Sequence, residues 1–421
     1  MIPYMKAEQQ QERQDRGKLK IQVYAALRSL PVADAEISIS YTGDPGNILE
    51  EVKTNASGES PEVELPTPPL EYSVEPSEYQ PYSEYTLRIT KEGYAPVDIS
   101  GTELLSGQTA LQPVYLEPLT PEEEYSRIVI PDHTLFGEYP EKIPEEEIKP
   151  VDESGEIVLS RVVVPEFVVV HDGAPTDPTV QNYYVRYRDY IKNVACSEIY
   201  STWSESAIRA NVLAILSFTM NRVYTEWYRN KGYDFTITSS TAFDHKWIPG
   251  RNIFANVSGI VDEIFTSYLS RPNVRQPILT QYCDGKRVTC PNWMSQWGSQ
   301  ALGESGYSDI EILRNYYGSN MYINSAEEIA GIPASWPGEN LDIGSSGMKV
   351  RQIQEQLNVI AQAYPALRTV DVDGIFGEAT QEAVRQFQQI FGLPATGVID
   401  YPTWYKIQEI YVGVSRIAEL Q

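Results

Sequence analysis

Cysteine and histidine are scarce in this chain of 421 residues, three of each. Cys196, Cys283 and Cys290 are too few, and odd in number, to frame a disulfide-built secreted domain, although the last two can still pair with each other. Basic residues are also in short supply: 33 Lys and Arg against 58 Asp and Glu leave a formal charge of −25. Such a charge repels nucleic acid and offers no polybasic handle to anionic lipid, so neither nucleic acid nor a membrane surface is expected as a partner. Long apolar runs are missing too. The opening "MIPYMKAEQQQERQDRGKLK" has no apolar signal-peptide core, and no later stretch approaches the roughly 18 to 20 uncharged residues of a membrane span. The expectation is a soluble protein made without a signal peptide. What is present, 42% apolar and 11% aromatic residues with 29 tyrosines, describes a globular chain long enough for two to four domains.

The pattern along the chain predicts a multidomain α+β protein. Residues 1–17 are polar and read as a tail. Residues 18–119 carry short alternating runs ("KLKIQVYAAL", "AEISISYTG", "EYTLRITKEGYAPVDIS", "LQPVYLEPL") separated by turn signals such as "GDPGN" and "NASGES", which predict a β-sandwich. Residues 120–165 are rich in Pro and Glu with little periodicity, and are expected to form an exposed linker or strap open to proteolytic cutting. Residues 166–337 mix strand and helix. There "RYRDYIKNVACSE" reads as one helix, and "SESAIRANVLAILSFTMNRVYTEWYRNK" as a longer one with Ile208, Val212, Ile215, Thr219, Val223 and Trp227 on one face. Ser204 is a suitable N-cap for the second, and Leu213, Leu216, Phe218 and Met220 fill its other faces, so it should lie buried at the centre of its domain. Residues 338–421 hold three helical segments around "VDVDGIFGEAT", the pattern of a compact three-helix module.

Several of these stretches resemble known families. The features from "KTNASGES" to "YTLRITKEGYAPVDI" are similar to transthyretin-like or carboxypeptidase-regulatory-like sandwiches. "LDIGSSGMKVRQIQEQLN" followed by "VDGIFGEATQEAVRQFQQIFGLPATGVIDYPTW" resembles the peptidoglycan-binding module attached to many cell-wall hydrolases. "YIKNVACSEIYSTWSESAIRANVLAILSFTMNRVYTEWYR" and "WMSQWGSQALGESGYSDIEILRNYYG" are similar to the two ends of the SpoIID sporulation domain, with Glu198 in the place of that family's glutamate before the long helix. The combination resembles the SleC-type spore cortex-lytic enzymes. That resemblance implies a lytic transglycosylase acting on peptidoglycan glycan strands during germination. It further implies storage as a zymogen in the spore cortex and coat region, with the N-terminal part removed by a subtilisin-like protease.

A hydrolytic glycosidase needs two carboxyls, whereas a lytic transglycosylase lets the C6 hydroxyl of the muramic acid attack its own anomeric carbon, so that one residue serves as acid and then base. Glu198 is the candidate, with Val194, Ala195, Ile199 and Trp203 as the apolar neighbours that would raise its pKa. Ser295 and Gln296 are candidates for hydrogen bonds to the sugar, and Trp293, Trp297, Tyr316 and Tyr317 for stacking on it. No cofactor is expected. Cys283 and Cys290 in "CDGKRVTC" suit free thiols, a hairpin-closing disulfide, or half of a zinc site completed by His245 or Cys196. The competing readings are a non-catalytic peptidoglycan-binding spore-coat protein and a component of a phage tail or injection device.

Overall fold

The structure is a computed structural model and describes residues 14–26, 30–120, 125–149, 162–165, 167–233, 235–329 and 340–415. The expected N-terminal tail falls largely outside these residues, and so does the stretch 150–161 of the expected cleavage region.

Alternation in the N-terminal third produces two five-stranded sheets. In the first, Asp15–Ala25 lies parallel to Thr109–Leu116 on one side and antiparallel to Val63–Thr67 and Leu30–Pro31 on the other. Every second residue of its leading strand, Leu19, Ile21 and Val23, is buried, which is the signature of a strand packed on one face. The second sheet runs in the order Asp44–Lys53, Glu36–Tyr41, Ser83–Thr90, Val97–Leu104 and Ser126–Val129. Ile37, Ile39, Leu87, Ile89 and Ile99 face inward from it. Each sheet thus covers the other's apolar face, as in a β-sandwich.

The central domain is mixed. Phe167–His171 pairs with Asn182–Arg186 and with Ile237–Thr238, and the helix Tyr187–Glu198 follows directly. Glu205–Tyr224 is the central helix, buried on nearly all sides between Ala255–Ile264, Gln296–Glu304, Asp309–Tyr317 and the antiparallel pair Ser267–Ser270/Tyr322–Ser325. Ser204 caps it by accepting a bond from the Ala207 amide, the role its position in the sequence suggested.

Sandwich and central domain share more than a surface. Ile253–Phe254 pairs antiparallel with Leu111 and Ala110, so the central domain lends a short edge strand to the first sheet. Beside it, Arg251 and Glu103, both fully buried, form a bidentate ion pair at 2.5 Å, and Arg251 also donates to the Cys196 carbonyl at 2.7 Å. Asn252 and Glu103 exchange backbone-to-side-chain bonds in both directions, and Gln112 donates to the Gly250 carbonyl. Burial pushes the Glu103 carboxyl up to about 7 against the pull of Arg251, with Glu84 and Asp132 adding to the rise. A carboxyl held above its unfolded value stabilises the folded state fully below that value and loses the contribution as pH rises through the folded one. The stability advantage of the native chain over Glu103→Gln is therefore expected to shrink between about pH 5 and about pH 8, measured as the difference in thermal midpoint.

The segment expected to be an exposed linker is docked instead. Ser126–Val129 joins the second sheet, and residues 130–149 run across the central domain with Ile130, His133, Thr134, Leu135, Tyr139, Lys142 and Lys149 buried. Composition hid this because the strap's anchors are single side chains fixed by partners far away in sequence. Arg287 donates to the Thr134 and Gly137 carbonyls, Glu147 pairs with Arg271, and Ile143 and Leu279 bond to the Ala242 and Glu147 carbonyls.

The C-terminal module packs Met348–Ala363, Glu378–Ile390 and Tyr401–Ser415 around Ile353, Leu357, Phe376, Phe387 and Trp404. Two buried glutamines repeat one device in it. Gln354 accepts from the Gly374 amide and donates to the Ile375 carbonyl, and Gln388 does the same with Gly397 and Val398. Both glycines sit at positive φ, 74°, which suits the tight turns these glutamines close.

Candidate active site

The helix Tyr187–Glu198 ends at Glu198 because Ile199 swings to an extended conformation while its amide bonds back to Ala195. Glu198 thus stands at the last position of a rigid element, with Val194, Ala195 and Ile199 buried around it. Its carboxyl is completely buried and held at both oxygens. Oε1 accepts from the Lys246 amide at 2.6 Å, and Oε2 accepts from the Tyr282 hydroxyl. Burial is the largest influence on it and raises its pKa. Lys142, Tyr282 and Lys246 pull in the opposite direction. Tyr282 is fixed in turn by its place in a short parallel ladder, Tyr282–Cys283 against Met294–Ser295, and by stacking on His245.

Gln296 follows that ladder at the start of Gln296–Glu304. Its Nε2 donates to the Glu198 main-chain carbonyl at 3.1 Å, so two of the residues singled out in the sequence adjoin. Ser295 caps the same helix by accepting from the Gly298 amide at 2.9 Å. The stacking candidates divide. Trp297 is buried against Trp203 and Tyr200, and Tyr317 is buried with its hydroxyl on the Gln281 carbonyl, so the expectation that these two rings face a sugar is corrected: their faces are spent on the core. Trp293 and Tyr316 are half-buried.

Cys283 and Cys290 form a disulfide with Cα atoms 5.6 Å apart, which takes up both thiols that a zinc site would need. The loop they close is organised by Asp284, which accepts from the amides of Lys286, Arg287 and Val288 and pairs with the Arg287 guanidinium at 2.9 Å. Gly285 in this loop has φ 73°, and a Cβ there would lie 1.8 Å from Ser295 Oγ. Cys196 is a buried free thiol whose sulfur accepts from the Phe254 amide, and burial pushes its pKa up to about 12. Such a thiol is inert at neutral pH.

The strap packs beside Glu198. Thr134 bonds through amide and hydroxyl to the carbonyl of Ser197, next to the acid. Tyr139 donates to Gln296 at 3.3 Å. Lys142 reaches between Glu198 and Asp244, donating to the Asp244 carbonyl at 2.8 Å with its ammonium 4.4 Å from the centre of the Tyr282 ring. Two other acids of the neighbourhood are committed elsewhere. Asp244 accepts from Arg222, Tyr228 and Thr238, and Asp284 holds its own loop. Tyr282, the Lys246 amide and the strap residues were not found from sequence, since they meet Glu198 across separations of 48 to 84 residues or come from the segment read as a spacer.

The comparisons bear on the other end of the chain. Residues 346–407 match the family described as "Putative peptidoglycan binding domain". The match supports peptidoglycan as a partner of this module. A zinc D-Ala-D-Ala carboxypeptidase from Streptomyces albus G is 39% identical over 77 residues, 18% of this chain and 28% of that protein. The chain thus spans well under half of that relative's length. Among solved structures, the SleB N-terminal domain is 33% identical, covering 17% of this chain and 93% of its own, at a TM-score of 0.15. A minor pilin of Streptococcus agalactiae, GBS52, is 11% identical, covering 25% of this chain and 46% of its own, at a TM-score of 0.18. At these TM-scores neither structure adds to the account of the fold. No helix among the described residues is long and apolar enough to cross a membrane.

Proposed function

We propose that the chain is a peptidoglycan-cleaving lytic transglycosylase of the spore cortex, held closed by its own strap, with Glu198 as the acid and base. The observation that carries the reading is the environment of Glu198. It is a carboxyl fixed at both oxygens and lifted by burial, at the end of a rigid helix, in a chain that also contains a peptidoglycan-binding module. In the first step Glu198 gives its proton to the glycosidic oxygen as the bond from the muramic C1 breaks. In the second the Glu198 carboxylate takes the proton of the C6 hydroxyl as that oxygen bonds to C1, leaving a 1,6-anhydro end and consuming no water. Because Asp244 and Asp284 are fully engaged, a mechanism that works with one carboxyl suits this neighbourhood better than one that needs a pair.

With the strap in place no sugar can reach Glu198, so activity requires the strap to leave, and a cut within residues 120–165 by a protease is the release we propose. The test is mass spectrometry of fragments liberated from purified cortex. A chain beginning at Val163 should release anhydro-muramic ends and the full chain should release few. Reducing ends would replace the transglycosylase by a hydrolase. A trimmed chain that binds cortex and releases nothing would leave a binding protein.

A further inference from the structure

Arg222, near the end of the central helix, is completely buried, and its guanidinium is divided between two clients. Nε binds Asp244 at 2.7 Å, and Nη2 donates at 3.2 Å to the Phe243 carbonyl, both within the central domain. The outer edge binds the strap. Nη1 and Nη2 donate to the two carboxylate oxygens of Glu145 at 2.9 and 2.5 Å, the fork-to-fork arrangement in which arginine grips a carboxylate most tightly. Asp244 has no capacity left for that edge, since its second oxygen already accepts from Tyr228 and twice from Thr238.

The Trp227 ring lies beside this edge, its centre 5.2 Å from the guanidinium carbon, and strap Lys149 places its ammonium 4.1 Å over the same ring. Lys149 is itself paired with Glu145, and Lys231 of the central domain lies 3.1 Å over the Trp227 ring, so the group the strap supplies to Arg222 is the Glu145 carboxylate. When the strap is lifted, the guanidinium keeps Asp244 and loses the carboxylate on its outer edge, leaving a free fork of donors that suits another carboxylate. Lys142, three residues before Glu145, lies near Glu198. Three residues of extended chain reach roughly 10 Å, so the acid and the guanidinium edge are served by one short piece of strap, as they would be by one short piece of glycan.

We propose that the outer edge of Arg222, flanked by Trp227, is a subsite for a carboxylate borne by a muramyl residue, and that Glu145 occupies it in the closed chain by imitating that carboxylate. The proposal rests on the glycan-cleaving reading for the identity of the ligand. Two carboxylates of the polymer have the right chemistry: the free lactyl acid of muramic acid, and the acids of an attached stem peptide.

The test uses the full chain carrying Glu145→Ala and cut by a protease within residues 120–165 so that the strap can leave, with N-acetylmuramic acid, a muramyl dipeptide and N-acetylglucosamine as probes and titration calorimetry as the readout. The variant is expected to bind at least one of the acidic probes tenfold or more tightly than N-acetylglucosamine. The uncut native chain, whose site is filled, should show no such preference. Preference for N-acetylmuramic acid assigns the lactyl acid, and preference for the dipeptide assigns the stem. Adding Arg222→Lys, which keeps the charge and loses the fork, should cut the preference to threefold or less with the near-ultraviolet circular dichroism unchanged. Should Glu145→Ala not fold, Glu145→Gln keeps the shape and removes the charge. Equal affinity for the three sugars in a folded variant, or a preference that survives Arg222→Lys, overturns the proposal. Failure of the enzymatic reading is seen separately, as the absence of released glycan fragments, and does not alter these binding results.

Discussion

Glu198→Gln in a chain freed of its strap is expected to lower the release of glycan fragments by at least 10²- to 10⁴-fold, the usual worth of a positioned acid and base. The amide is isosteric, can still accept from the Lys246 amide, and can donate to the Tyr282 oxygen where the carboxylate now accepts. It holds no proton to give. The fold should be unaffected or slightly more stable, because a neutral group replaces one that burial disfavours as an anion. Binding to peptidoglycan through residues 346–407 should also persist, so that loss of cleavage with retained pull-down isolates the chemical step. The same carboxyl sets the pH response. An acid must start protonated, so the rate should fall as pH rises through the pKa of Glu198 and the fall should vanish with the residual activity of the glutamine variant. A variant that cleaves as fast as the native chain would remove Glu198 from the mechanism.

Arg251→Met is expected to have the largest effect on stability. It takes away the guanidinium that the buried Glu103 carboxyl is paired with, and breaking a buried pair from one side costs about 3–5 kcal/mol. The loss should appear as a fall in the denaturation midpoint, and as earlier separation of the sandwich from the central domain by limited proteolysis. Glu103→Leu combined with Arg251→Met should recover much of the loss, since paired removal leaves neither charge orphaned. The position of the pair gives the result a second use. Arg251 also holds the Cys196 carbonyl in the last turn before Glu198, so the single variant should loosen the acid's own helix and the double should not restore that bond. A single variant as stable as the native chain would mean that the two domains are joined by something else.

Periodic features were the legible ones. Strand alternation in the sandwich, the continuous burial of Glu205–Tyr224, its Ser204 cap and three C-terminal helices follow from residue spacing and local chemistry alone. Glu198 was singled out by the family resemblance of the stretch before the long helix. Its partners were not, because Tyr282 and the Lys246 amide are chosen by tertiary packing and carry no local pattern. The strap shows the limit most clearly: a Pro/Glu-rich composition has the look of a solvated spacer, and nothing in it announces that Glu145 will meet Arg222, 77 residues away, or that Lys142 will lie beside Glu198. Two of the four aromatic candidates, Trp297 and Tyr317, were misplaced for the converse reason. A ring such as Trp297 or Tyr317 reads alike in a core and in a sugar cleft, and only its neighbours distinguish them.

Ile253 and Phe254, lent by the central domain to the sandwich, make part of the joint out of main chain. A main-chain ladder is blind to side-chain identity, so drift at neighbouring surface positions cannot undo it. Parting the domains takes this short partner from Ala110 and Leu111 and so lengthens the bare margin of Thr109–Leu116, the kind of edge that seeks another partner.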